Sequence, residues 1–248
     1  MNNDNCYYGW IPILTKDLLF GYFIKELENE KKMVEGEEKK KLDKRLSKTS
    51  GRYYIHETHE DVKDKKFKVI ISVDDRDAID HIFIFKYSNP TLSDKNIAAE
   101  ASCNIEDNGL VTLKLEYPEE KVAWKEHEII KQVYIIIREV YHHHTHHEPQ
   151  EEILLQPVSA KDKTDAIIKI INQYQEKIIS YHTLIRTDIK CEGGFDDARN
   201  LVAKAKEEMA YASAFVNTFE RNIKDPQSYF FVFSNALKPI DGLASDIE

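Results

Sequence analysis

The spacing of apolar residues along the chain shifts from helical to alternating and back to helical, which predicts an α+β protein. In YYGWIPILTKDLLFGYFIKELENE, Thr15 is placed to cap a helix on which Leu18, Leu19, Tyr22, Phe23 and Leu27 recur at helical steps. From Lys25 to Lys48 the sequence becomes a mixed-charge tract with few apolar residues, predicting a solvated helix or mobile loop. Within it, KKKLDKR reads as a solvated face or as a contact for an anion. The segments RYYIHETHE, KFKVIISV and HIFIFKY are then rich in β-branched and aromatic residues, the last two separated by Asp-Asp-Arg-Asp. IAAEASCNI and LVTLKLEY flank Glu-Asp-Asn-Gly, where Asn108-Gly109 would supply the positive φ values of a tight hairpin turn. Residues 52–117 therefore read as an antiparallel sheet of four to five strands.

Helical periodicity returns after Pro118, where Ile130, Val133, Ile137, Val140 and His144 follow three- and four-residue steps in a segment that Pro149 must end. This long helix should pack on the sheet, and Ile129, Ile135 and Ile136 widen its apolar surface. Two more helices, near 164–187 and 196–223, form a helical hairpin around a loop with Cys191 and Gly193-Gly194. Ile167, Ile171, Tyr174, Ile178, Tyr181 and Ile185 make one seam. Leu201, Ala205, Met209, Ala212, Val216, Phe219 and Ile223 make the other. SYFFVFSNAL reads as a final strand or packed turn. The organisation expected is an N-terminal helix and mixed-charge tract (1–50), a sheet with its His-ended helix (51–148) and a helical hairpin with an aromatic C-terminal segment (149–248). At 248 residues the chain is read as two coupled units.

Composition narrows the function classes. A hydrophobic content of 42% argues against global disorder, and 32% charged residues predict a solvated exterior. A net charge of −9 disfavours broad nucleic-acid binding, which relies on clustered Lys and Arg. Cys6, Cys103 and Cys191 contain no CxxC pair, so neither a disulfide framework nor a thiolate zinc site is expected. The start lacks the basic and apolar stretches of a secretory signal, and Arg138 and Glu139 interrupt the best apolar run. These features point to a cytoplasmic protein without a membrane partner, acting through a protein partner or self-association.

The main chemical anomaly is Tyr-His-His-His-Thr-His-His-Glu at 141–148. On a helix, residues four apart share a face, so His142 with His146 and His143 with His147 form two chelating pairs. Neutral imidazole suits Zn or another transition metal ion, and Glu148, Glu151 and Glu152 offer oxygen donors. Further ligands would come from His182, His56, His59, His81 or His127. The same cluster, at a helix C-terminus whose partial negative charge favours imidazolium, would gain protons around pH 6 and act as a charge switch. A third reading packs one or two of these rings on the core and leaves the rest in water.

Arg138-Glu-Val-Tyr-His-His143, with His144 one place further, resembles the Arg-x(4–6)-His motif of HEPN ribonucleases. The resemblance implies metal-independent RNA cleavage at a dimer interface, with Arg138 stabilising phosphate charge and His143 or His144 handling the proton. The β-rich residues 52–117 depart from that family's all-helical pattern. Asp74, Asp75, Asp77 and Asp80 form a second acidic candidate for Mg²⁺, or simply a polar turn. No acid stands two places before Lys86, as a restriction-type nuclease would want, and neither GxxxxGK[ST] nor GxGxxG occurs. The reading reached is a non-enzymatic intracellular interaction or regulatory protein with a metal- or proton-responsive His segment, the ribonuclease being the alternative.

Overall fold

The chain folds as an α+β protein in a computed structural model that describes residues 6–11, 32–48, 51–57, 68–75, 79–85, 97–116, 133, 157–191 and 194–247. It divides into two units, Met1–His147 and Glu148–Glu248. The first unit contains strands β1 (Cys6–Trp10), β2 (Lys32–Met33), β3 (Arg52–Glu57), β4 (Lys68–Val73), β5 (Ile79–Phe85), β6 (Ile97–Ile105) and β7 (Leu110–Glu116). Helix α1 (Gly36–Leu46) lies between β2 and β3 in sequence. Neighbouring strands pair antiparallel in the order β2-β3-β4-β5-β6-β7-β1. The five strands of 52–116 are thus the expected sheet, and β1 and β2 extend it from the N-terminal stretch.

Register explains why both faces of the sheet can be buried. One cross-strand row runs Tyr54, Ile71, Ile82, Ala101 and Leu115. It belongs to a core that also holds Tyr7, Val69, Ile84, Ala99, Leu113 and the buried Val133. One residue along, every side chain points the other way, and Ile55, Ile70, Phe83 and Glu100 form the next row. There Tyr53, Ile70, Phe83, Phe85 and Ile97 make an aromatic floor beneath Val34 and Leu42 of the α1 segment. The run KKKLDKR is therefore a docked helix, because Leu42 is fully buried while the residues around it are charged. Leu42 and Leu46 stand four apart, but two leucines in one short charged run give little periodicity to read.

The β6–β7 hairpin differs from the expected tight turn in one respect. Gly109 alone takes positive φ, at 84°, and Asn108 does not. Gly109 N–H donates to Glu106 O, and Glu106 N–H donates to Leu110 O, both at 2.9 Å. This is a type I turn closed by a left-handed glycine, the longer of the common hairpin solutions. β1 locks onto it: Ile11 N–H donates to Gly109 O at 2.9 Å and Trp10 Nε1 donates to Asn108 O at 2.9 Å.

The second unit holds a short strand β8 (Val158–Ala160) and helices α2 (Lys163–Asp188), α3 (Phe195–Thr218) and α4 (Pro226–Ile247). Asp162 caps α2 by accepting from Asp165 N–H at 2.9 Å. All six residues of the α2 seam are buried, as are Ala205, Ala212, Val216, Phe219 and Ile223 of the next, while Leu201 and Met209 are half-buried. SYFFVFSNAL is not a strand or turn but the first half of α4. Its aromatic content imitates a strand. Pro226 at the first helical position and the buried positions Phe233, Ile240 and Ile247, seven apart, instead make a narrow helical stripe. The expected hairpin is thus completed by a third helix, each of the three packing on the other two.

The N-terminal helix expected after Thr15 lies outside the described residues, as does the segment 119–147 apart from Val133. Among the described residues no helix is long and apolar enough to cross a membrane.

Candidate functional site

The densest set of charged and polar side chains among the described residues lies where the C-terminal end of α1 meets the sheet. A third cross-strand row, Tyr53, Ser72, His81, Ser102, Lys114 and Cys6, brings polar groups beside the aromatic floor. A register shift between Ser72 and Val73 pairs Val73 with Ile79, leaving Asp80 as the extra residue. Arg45 on the last turn of α1, and Lys48 just past its left-handed cap Ser47, reach down onto these groups. Arg45 Nη2 and Nε both donate to Glu100 Oε2, at 2.5 and 3.1 Å. Lys48 Nζ pairs with Asp80 Oδ2 and lies 3.4 Å from Ser72 Oγ.

Burial pulls the Lys48 ammonium below its ordinary value, while the carboxylates of Asp74, Asp75 and Asp43 push it back up. Lys48 is paired with Asp80, and Ser72 has no exposed surface. The arrangement is chemically an ionic latch. His81 Nδ1 lies 3.7 Å from Asp80 Oδ1, and its ring stacks on Phe83 with centroids 6.2 Å apart.

Asp43 organises the other end of the cluster. Its carboxylate accepts from Lys39 Nζ at 2.9 Å, Tyr53 Oη at 2.8 Å and Gly51 N–H at 3.2 Å. The Lys39 hydrogen bond chiefly holds it below the usual carboxylate range, burial opposes this, and Tyr53 and Gly51 assist. Burial, followed by the Asp43 charge, pushes the Tyr53 hydroxyl far up. A carboxyl depressed in the folded state stabilises fully above its unfolded value and loses that contribution as pH falls through the folded one. Urea unfolding should therefore show stability falling below about pH 4, with a shallower slope in Asp43→Asn. An identical slope in the variant would show that this carboxyl carries no share.

Of the residues singled out from sequence, Arg138, His142, His143, His144, His146 and His147 lie outside the described residues, as do His59, His127, Asp77 and Glu148, Glu151 and Glu152. Asp80 is held by Lys48, and the backbone oxygen of Asp74 accepts from Arg52 Nη2 at 2.8 Å. Among the described residues no group of three or more His, Cys, Asp or Glu is placed to hold a metal ion. Cys103 is buried, which drives its thiol far above the usual range, Cys6 is half-buried and Cys191 exposed. The β-rich stretch 52–116 is a sheet, which departs from the all-helical pattern of the HEPN ribonucleases.

Sequence periodicity passed over one further pair. Lys177 on α2 and Glu208 on α3 form a buried ion pair, with side chains 3% and 9% exposed. The signal was present: Lys177 stands three residues after Tyr174 in one seam, and Glu208 three after Ala205 in the other. Opposite charges on two facing apolar stripes predict each other. Comparison with protein-family models, with curated proteins and with solved structures finds no match for this chain.

Proposed function

We propose that this chain is a non-enzymatic interaction or regulatory protein whose helical unit meets a protein partner, a second copy of the chain included. The observation that carries the reading is the aromatic run Tyr229-Phe230-Phe231 at the start of α4. None of the three is buried, and Phe231 is 66% exposed. An exposed Phe231 beside half-buried Tyr229 and Phe230 presents the residue type that interfaces favour. Ile179 and Phe195 add exposed apolar surface to the same unit. The charged groups beside α1, by contrast, are engaged in holding elements together.

In this reading His142, His143, His146 and His147 form the responsive element, taking up Zn or another transition metal ion, or protons. Elemental analysis of tag-free protein should find metal, or sedimentation should show an assembly change between about pH 5.5 and 7.5. Either response should vanish in His142→Ala/His146→Ala, and Phe231→Asp should weaken assembly. Absence of both responses would remove the responsive element. RNA cleavage that resists chelators and is lost in Arg138→Ala would replace the whole reading with catalysis by Arg138 and His143 or His144.

A further inference from the structure

Helix α1 and the floor beneath it are mismatched in chemistry. The floor consists of Tyr53, Ile70, Phe83, Phe85 and Ile97, all at most 2% exposed. The helix above it, GEEKKKLDKRL, buries Leu42 fully and packs Leu46 partly, and everything else on it is charged or glycine. Part of the cover is the aliphatic stem of charged residues, with Lys39 Nζ 5.9 Å from the Tyr53 ring centroid. Besides Leu42 and Leu46, polar contacts seat the helix: Arg45 on Glu100, Lys48 on Asp80 and Ser72, Asp43 on Tyr53 and Gly51, and Glu38 3.8 Å from Lys68. Both ends carry left-handed residues, Gly36 at φ 65° and Ser47 at φ 54°. Each turns the chain sharply at an end of the helix.

We infer that α1 is an ionically latched strap that opens as a unit from the sheet and uncovers the aromatic floor, while the strands stay paired. Segments with few buried apolar contacts open sub-globally, well before a core of paired β-strands does. The strap is independent of the His segment and goes beyond the proposed partner surface, which lies in the helical unit. Its opening would place a second apolar face under the control of salt and of any ligand that competes for Arg45 or Lys48.

Native-state amide hydrogen exchange on the whole chain tests this. Amides 40–46, which carry the intrahelical bonds of α1, are compared with those of β4 and β5. The α1 amides are expected to exchange at least about a hundredfold faster than the strands. Raising NaCl from about 0.05 to 1 M should accelerate α1 modestly and leave the strands unchanged, since salt screens partly buried ion pairs less than exposed ones but does not act on a strand ladder. Arg45→Gln/Lys48→Gln should accelerate α1 by about tenfold, the loss expected for two partly exposed ion pairs. Equal protection of α1 and the strands in the unmodified chain would overturn the inference, as would salt that accelerates both alike. Because the salt comparison needs no substitution, failure of the double variant to fold leaves the test intact.

Discussion

Lys177→Ala is expected to lower the stability of the helical unit by about 3–5 kcal/mol, the usual cost of removing one partner of a buried ion pair. The Lys177 ammonium and the Glu208 carboxylate are both enclosed between α2 and α3. Taking away the ammonium removes the charge that Lys177 sets against the Glu208 carboxylate inside the packed unit. The attraction itself is a smaller quantity, since both groups were desolvated to form it. Lys177→Met/Glu208→Leu should therefore recover most of the loss, because apolar side chains of similar volume remove the desolvation cost from both helices. Urea unfolding of the parent, Lys177→Met, Glu208→Leu and Lys177→Met/Glu208→Leu would measure the coupling. A Lys177→Ala chain within about 1 kcal/mol of the parent would mean that the pair is hydrated in solution.

Gly109→Ala should be the second large effect, costing about 3 kcal/mol or more. A left-handed conformation costs an L-residue about 1–2 kcal/mol, which Gly109 avoids at φ 84°. An added Cβ would also stand 2.1 Å from the backbone oxygen of Ile11 and 3.1 Å from Trp10 Nε1. Neither is the free end of a flexible side chain. The substitution must push β1 off the hairpin, losing the Ile11 and Trp10 hydrogen bonds that join them. Gly36→Ala separates the two contributions. Gly36 has φ 65°, but a Cβ added there would meet nothing within 4 Å, so its cost should stay near about 1 kcal/mol. Equal losses at the two positions would show that conformation, not crowding, governs Gly109.

What could be read from sequence follows from how far apart in the chain the deciding contacts lie. β3, β4, β5, β6 and β7 announce themselves through runs of β-branched residues bounded by turn chemistry, and α2 and α3 through seams repeated over several turns. The docking of α1 depends on Leu42 with partial help from Leu46, and two leucines among charged residues resemble any solvated helix. The last helix was hidden by Tyr229, Phe230, Phe231 and Phe233, which favour strands by composition while their placement favours a helix. Arg45 and Glu100 are 55 residues apart and Lys48 and Asp80 are 32 apart, so no local pattern joins them. The His segment was conspicuous for the opposite reason, its residues being adjacent in the chain, and it lies outside the described residues.

The pairing of β1 with β7 bears on how the protein is made. CYYGW precedes the other described strands in the sequence, yet the hydrogen bond that anchors Trp10 reaches Asn108, 98 residues later. Non-local pairing of this kind slows folding, because a long loop must close before any contact rewards it. Among the described strands β1 is therefore expected to be seated late, its aromatic side chains waiting on the hairpin that receives them.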